Sequence, residues 1–283
     1  SLLARILVIV RTPNGIPDDV EIEDLEAEIT ELAQTWPDRL HAALIEADGE
    51  ETGNRLFREF GRAFPLAYHE RVPPRAAVPD IHVLDWLQRD SSRQLGMSFY
   101  RKLEDRRELV RFKLIRPNLP LYLSDALPIL ENMGLKILYE EPHRIRTAKG
   151  AVFAMHDFSM RITNGGTEEV DAVREAFQEA FEQTWSGAVE NDGFNRLVLT
   201  AGLETADIVV LRAYCKYMLQ LGSPFSQSYI EDTFTSNKTL ANDLVALFKT
   251  RFDPTFAGDR AAAMEDLEKR IEAGLDNVAI LDE

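Results

Sequence analysis

Residues 110–137 read VRFKLIRPNLPLYLSDALPILENMGLKI, and this stretch decides the fold. Apolar and basic residues alternate from Val110 to Leu114, and this period of two predicts a half-buried β-strand. Asn118 follows a proline and predicts a turn. The next segment predicts a helix with Ser124 as its N-cap and Gly134 as its stop.

Two more strands are predicted downstream. The first extends from Ile137 to Thr147, where Pro142 indicates an edge position or a bulge. Lys149-Gly150 predicts the turn into the second, in which alternate residues from Val152 to Ile162 share one face. His156 lies among these apolar positions, so we interpret it as a satisfied core histidine, against the alternative of a ligand or base.

The composition excludes several classes of function. The net charge of −16 argues against binding to nucleic acid or to an anionic membrane. No apolar run reaches the roughly 18 residues that would span a bilayer. The single cysteine, Cys215, excludes a disulfide framework and a multi-cysteine zinc site, and it fits a reducing cytoplasm. We therefore expect a cytoplasmic protein without a bound metal.

The order strand, Pro-Asn loop, helix, strand, strand, helix resembles the ACT domain, a small α+β regulatory fold that often binds amino acids. Arg116 to Leu119 and Leu130 to Ile137 are similar to its first loop, the end of its first helix and its second strand. The resemblance implies a ferredoxin-like antiparallel sheet with two helices. Its fourth strand could come from Ser98 to Arg101, from Leu3 to Val10, or from another protomer.

A second resemblance is to the large NAD-dependent glutamate dehydrogenases of bacteria. The stretches that carry it are Ala180–Trp185, Glu190–Leu197, Leu211–Tyr214, Pro224–Asp232 and Arg251–Pro254. In that family, ACT-like domains and helical stretches precede the dehydrogenase domain. The resemblance implies that the parent enzyme converts L-glutamate to 2-oxoglutarate and ammonia with NAD, as a homo-oligomer.

These patterns divide the chain into four parts. Residues 1–15 are a strand and a turn that could end a preceding ACT-like domain, and residues 16–95 are a helical region. Residues 96–186 are the ACT-like domain, and residues 187–283 are a helical bundle leading toward a catalytic domain. Within the bundle, residues 206–221 are apolar almost all round apart from a stripe at Arg212, Lys216 and Gln220, which predicts a central helix.

Catalytic chemistry is missing from the sequence. None of the 15 glycines forms a Gly-x-Gly, so we expect no dinucleotide cofactor, no catalytic residue and no metal site in this segment. The expected function is regulatory and architectural, with the other domains of the same polypeptide as partners. The alternatives are a stand-alone amino-acid sensor and a purely structural oligomerisation scaffold.

Two candidate sites follow from the resemblances. Asn118, Ser124 and Asp125 are candidates for binding an amino-acid effector, because a helix N-terminus presents unpaired N–H groups to a carboxylate. Asn118 stands where ligand-binding ACT domains often carry glycine, and asparagine tolerates the left-handed conformation better than most residues. Arg196 is the candidate contact to a neighbouring domain, against the alternative that it fastens the bundle internally.

Overall fold

A computed structural model describes residues 33–163 and 170–278, together with Asp24, Glu26 and Ile29. The predicted strand Leu3–Val10 lies outside the described residues. The strands are β1 (Gly96–Tyr100), β2 (Leu109–Pro117), β3 (Leu135–Arg146) and β4 (Val152–Ile162). The helices are α1 (Trp36–Phe60), α2 (Leu66–Arg71), α3 (Pro74–Arg89), α4 (Leu123–Asn132), α5 (Val170–Trp185), a 3₁₀ turn (Gly193–Arg196), α6 (Leu197–Ala201), α7 (Thr205–Gln220), α8 (Gln227–Ser236), α9 (Lys238–Phe252) and α10 (Arg260–Leu275).

The four strands form one antiparallel sheet in the order β1-β2-β4-β3, which confirms the predicted α+β fold. Strand β1 closes the sheet beside β2, so the missing strand comes from upstream and overlaps the predicted Ser98–Arg101 segment. Pro142 lies in edge strand β3, where its missing N–H breaks no ladder bond to a further strand. The irregularity in β3 falls between Ile137 and Tyr139 instead.

One face of the sheet packs on α4 and α5. Phe112 and Phe158 are fully buried there against Phe177 and Phe181 of α5. This core continues without a break into the C-terminal helices through Phe194 and its neighbours. Burial of this many aromatic side chains is the main source of stability on this side.

The opposite face of the sheet is also covered, by the N-terminal helices. Ile115, Phe153 and Met155 pack with Leu56 of α1 and Ile81 of α3 in a second core. The prediction of a half-buried β2 is therefore wrong at this end of the sheet. Sequence alternation misses such coverage because the covering helices lie well upstream in the chain.

Helix α7 lies at the surface rather than at the centre of the bundle. Its apolar residues Tyr214, Tyr217 and Met218 are between 45% and 58% exposed, so the predicted central position is wrong. Arg212, which was expected on the polar stripe, is 5% exposed. None of the helices in the described part of the chain is long and apolar enough to cross a membrane.

Candidate functional site

The turn at Asn118 has the conformation that the sequence predicted. Its φ is 58°, the left-handed region, and its N–H donates to the carbonyl oxygen of Val152 at 2.8 Å. The bond ties the loop after β2 to the start of β4. Asparagine therefore takes the position that glycine often holds in this type of loop.

The start of α4 differs from the prediction. The helix begins at Leu123 with Tyr122 as its N-cap, and no side chain caps it, so Ser124 is not the N-cap. Leu121 and Ala126 are buried on either side of the helix start. Burying two apolar side chains is worth more than the roughly 1 kcal/mol of a cap, so packing decides where the helix begins.

The candidate effector residues lie at the surface, in the loop after β2 and in the first turn of α4. Asn118, Ser124 and Asp125 are all exposed, and the Ser124 hydroxyl donates to the Asp125 carboxylate at 3.3 Å. No side chain caps α4, and the Asp125 N–H donates to the Tyr122 carbonyl oxygen at 3.1 Å, so the N–H groups of Leu123 and Ser124 are the ones left for a ligand anion. The charge of Asp125 opposes such an anion, so this surface offers donors but little electrostatic attraction.

Arg196 forms a surface ion pair. Its guanidinium bonds the carboxylate of Asp232, and the two side chains are 23% and 65% exposed. Arg196 is therefore neither fully exposed, as a docking residue would be, nor buried against a carboxylate inside the bundle.

The arginine that forms a buried ion pair inside the bundle is Arg212. Its Nε and Nη2 donate to the two Asp192 oxygens at 2.7 and 2.9 Å, and Nη2 also donates to Asn195 Oδ1 at 2.8 Å. Asp192 in turn caps the 3₁₀ turn by accepting from the Phe194 N–H. The sequence feature that indicates this buried pair is an arginine within the largely apolar stretch 206–221.

Glu231 adds a buried carboxyl group to this cluster. Burial raises its pKa, and the Gln227 amide partly offsets the effect by donating to it at 2.8 Å. The same Gln227 amide donates to Asp192 at 3.2 Å, so one side chain joins both acids. The polar runs Glu190–Arg196 and Ser226–Asp232 thus meet inside the bundle.

A cavity of about 970 Å³ lies between the sheet and the N-terminal helices. The N-terminal helices cover one end of the second sheet face, and the other end is the cavity floor. Two cross-strand rows supply this floor: Ser98, Lys113, Asp157 and Glu141 from one, and Tyr100, Arg111 and Tyr139 from the other. The cavity is lined further by Val72, Pro73, Ala76 and Pro79 around α2 and α3, by residues 101–104, and by Arg174 and Gln178 of α5.

Buried charge concentrates at the inner end of this cavity. Lys113 is 3% exposed and donates to Asp80 Oδ2 at 2.5 Å, and the Tyr68 hydroxyl donates to the same oxygen. Burial and the Asp80 charge raise the pKa of Tyr68, so the phenol stays protonated as a donor. The His143 ring meets Tyr68 edge-on at 5.2 Å, and burial lowers its pKa.

Asp157 lies beside this cluster with incomplete bonding. Burial raises its pKa to about 6, although the Lys113 charge acts in the opposite direction. Its Oδ1 atom is enclosed and finds no hydrogen-bond donor within the described part of the chain. The neighbouring Tyr100 phenol also has a raised pKa, again mainly through burial.

The other predicted residues have structural roles. His156 Nδ1 lies 2.6 Å from Glu140 Oε1 with its side chain 13% exposed, so it is satisfied within the sheet. Cys215 is buried, and burial raises the pKa of its thiol. Among residues 33–163 and 170–278, no group of three or more His, Cys, Asp or Glu side chains could hold a metal ion.

Comparison with known proteins gives a consistent assignment along the chain. Three family models match: glutamate dehydrogenase helical motif 2 over residues 43–87, the ACT3 domain over residues 94–173, and helical motif 3 over residues 189–254. The NAD-specific glutamate dehydrogenases of Pseudomonas aeruginosa and Halomonas elongata are each 37% identical across the whole chain. That of Mycobacterium tuberculosis is 34% identical over 81% of it.

The chain spans 18%, 17% and 14% of the length of these three relatives, so it matches one segment of a much longer protein. The ACT3 match coincides with the four-stranded sheet, and the two helical-motif matches fall on the helices that cover its two sides. The chain belongs to the NAD-specific glutamate dehydrogenase family, as the segment that carries the ACT3 domain between two helical motifs.

Proposed function

We propose that this chain is a non-catalytic regulatory and architectural segment of an NAD-dependent glutamate dehydrogenase. The parent enzyme, a cytoplasmic homo-oligomer, oxidises L-glutamate to 2-oxoglutarate and ammonia with NAD in a later domain. The segment itself holds no cofactor. Its partners are the remaining domains of the same polypeptide.

One observation carries the proposal: the sheet is packed on both sides. Ile115 and Met155 join its second face to α1 and α3, while Phe112 and Phe158 join its first face to α5 and the C-terminal helices. Close-packed cores transmit a displacement rather than absorb it. A change at the sheet would therefore move both helical motifs together, as a regulatory linker requires.

The assignment of catalysis to another domain is tested with the purified 283-residue chain. NAD reduction with L-glutamate should be undetectable, because the chain lacks a Gly-rich dinucleotide turn. The full-length enzyme, assayed in parallel, is the positive control. Turnover that rises in proportion to the amount of purified chain would contradict the proposal.

The regulatory role is tested in the full-length enzyme. Met155→Ala removes a fully buried contact between the sheet and the N-terminal helices, and Leu66→Ala changes an exposed residue of α2 outside the cavity lining. We expect Met155→Ala to alter the glutamate kinetics or the assembly state, and Leu66→Ala to alter neither. Unchanged kinetics and assembly in Met155→Ala would favour an inert scaffold.

The two surface sites stay predictions. An amino-acid effector at Asn118, Ser124 and Asp125 would place its carboxylate on the open N–H groups of α4. Asp125→Asn should then tighten binding, since it removes an opposing charge. Docking at Arg196 predicts that Arg196→Ala changes full-length activity or assembly.

A further inference from the structure

Several charged groups of the cavity over the second sheet face are already paired. Lys113 pairs with Asp80, Arg71 with Glu141 at 2.9 Å, and Arg111 with Asp105 outside the cavity lining at 3.0 Å. Asp157, Lys102 and the exposed Glu104 have no such pair among the described residues.

Asp157 is the unsatisfied acceptor. It lies opposite Lys113 in the β2–β4 register, but the Lys113 ammonium is bonded to Asp80 instead. Asp157 is partly exposed in the cavity, but its Oδ1 atom is enclosed without a donor, which is costly unless a partner arrives. A ligand N–H group would supply that partner after a small shift of the side chain.

Lys102 is the available cation. It is half-buried at the edge of the same cavity and makes no ion pair with a described residue. It lies near enough for its charge to lower the pKa of Asp157. Because Asp157 and Lys102 both line this cavity, a single ligand can contact both, with a cationic end at Asp157 and an anionic end at Lys102.

We propose that this cavity binds a small zwitterion, with its protonated amine on Asp157 and its carboxylate on Lys102. Six Lys and Arg side chains line the cavity against four Asp and Glu, and Asp105 and Asp171 outside the lining pair with Arg111 and Arg174, so the charges around a zwitterion are balanced. Tyr100 and Tyr139 at the floor offer apolar surface to its carbon chain. A volume of about 970 Å³ suits a small molecule.

This site differs from the predicted one at Asn118. Asn118 and Asp125 lie in the loop after β2 and at the start of α4, outside the cavity lining. Binding in the cavity can be measured on this chain by itself, without the rest of the enzyme. Only its regulatory consequence rests on the proposed function, so the two can fail separately.

Calorimetry on the 283-residue chain tests the proposal, with L-glutamate as the probe and glutarate, which lacks the amine, as the matched ligand. We expect L-glutamate to bind, and glutarate to bind at least about tenfold more weakly. Asp157→Asn and Lys102→Gln should each weaken L-glutamate binding about tenfold, a loss of about 1.4 kcal/mol. Asp125→Asn is the control variant and should leave cavity binding unchanged.

Proton release provides a readout that a purely structural role would not change. Because the pKa of Asp157 is about 6, bound ammonium should expel its proton at pH 6 but not at pH 8. Titrations in buffers of different ionisation enthalpy measure this release, which Asp157→Asn should abolish. Equal L-glutamate affinity in wild type and Asp157→Asn, or no heat with L-glutamate at millimolar concentration, would overturn the proposal.

Discussion

Replacing Arg212 by alanine should destabilise the chain strongly, although sequence periodicity places this residue on a polar stripe. The side chain is 5% exposed, and its three hydrogen bonds join α7 to the 3₁₀ turn through Asp192 and Asn195. Removing it leaves the Asp192 carboxylate, itself largely buried, without its cation.

Breaking a buried pair in this way typically costs about 3–5 kcal/mol. Asp192 keeps the Gln227 amide at 3.2 Å and the Phe194 N–H at 3.2 Å. These remaining donors place the expected loss at the lower end, about 3 kcal/mol in the free energy of unfolding. At roughly 2–4 °C per kcal/mol, the melting temperature should fall by about 6–12 °C.

Urea unfolding of the 283-residue chain, followed by circular dichroism, measures the loss. Arg196→Ala is the matched control, because Arg196 pairs with one carboxylate at the surface and should cost about 0–1 kcal/mol. Arg212→Lys should rescue only part of the loss, since an ammonium cannot hold both Asp192 oxygens as a guanidinium does. Equal destabilisation by Arg212→Ala and Arg196→Ala would show that Arg212 contributes no more than a surface ion pair.

Three further predictions concern single residues. Burial raises the pKa of Asp157 from 3.8 to about 6. Between these two pH values the folded chain therefore binds a proton at Asp157 that the unfolded chain does not bind. The stability that this proton contributes is lost as the pH rises through about 6. Asp157→Asn should therefore gain stability relative to wild type between about pH 4 and 7, by up to about 3 kcal/mol, and a pH-independent difference in urea unfolding would contradict this. At Asn118, whose φ is 58°, glycine should be neutral or stabilising and valine should cost about 1–2 kcal/mol, so equal melting temperatures for the two variants would argue against the left-handed turn. The Cys215 thiol is buried with a raised pKa, so Ellman's reagent should react only after denaturation, and fast reaction with the native chain would place the thiol at the surface.

The strands, the turn and the family could be predicted from the sequence because their causes are local. Alternation over Val110 to Leu114 predicts the position of β2, though not the burial of its second face, and Lys149-Gly150 predicts the turn of the β3–β4 hairpin. Asn118 takes the left-handed conformation for a reason contained in its own side chain. These features depend on residues within a few positions of one another.

Only the tertiary structure decided which charges are buried. The alternating pattern predicts that Lys113 is solvated. Its partner Asp80 lies 33 residues upstream, on α3, and bonds to it there. Arg212 meets Asp192 across 20 residues. A charged side chain can be buried when a partner pairs with it, and periodicity carries no information about distant partners.

The cavity has the same origin. Its floor comes from β1, β2, β3 and β4, and α2, α3 and α5 line it further, so no single stretch of sequence contains the site. The sequence alone identified Asn118, Ser124 and Asp125, which lie close together along the chain. Asp157 and Lys102 came together only through the fold, because strand pairing joins residues that local pattern cannot relate.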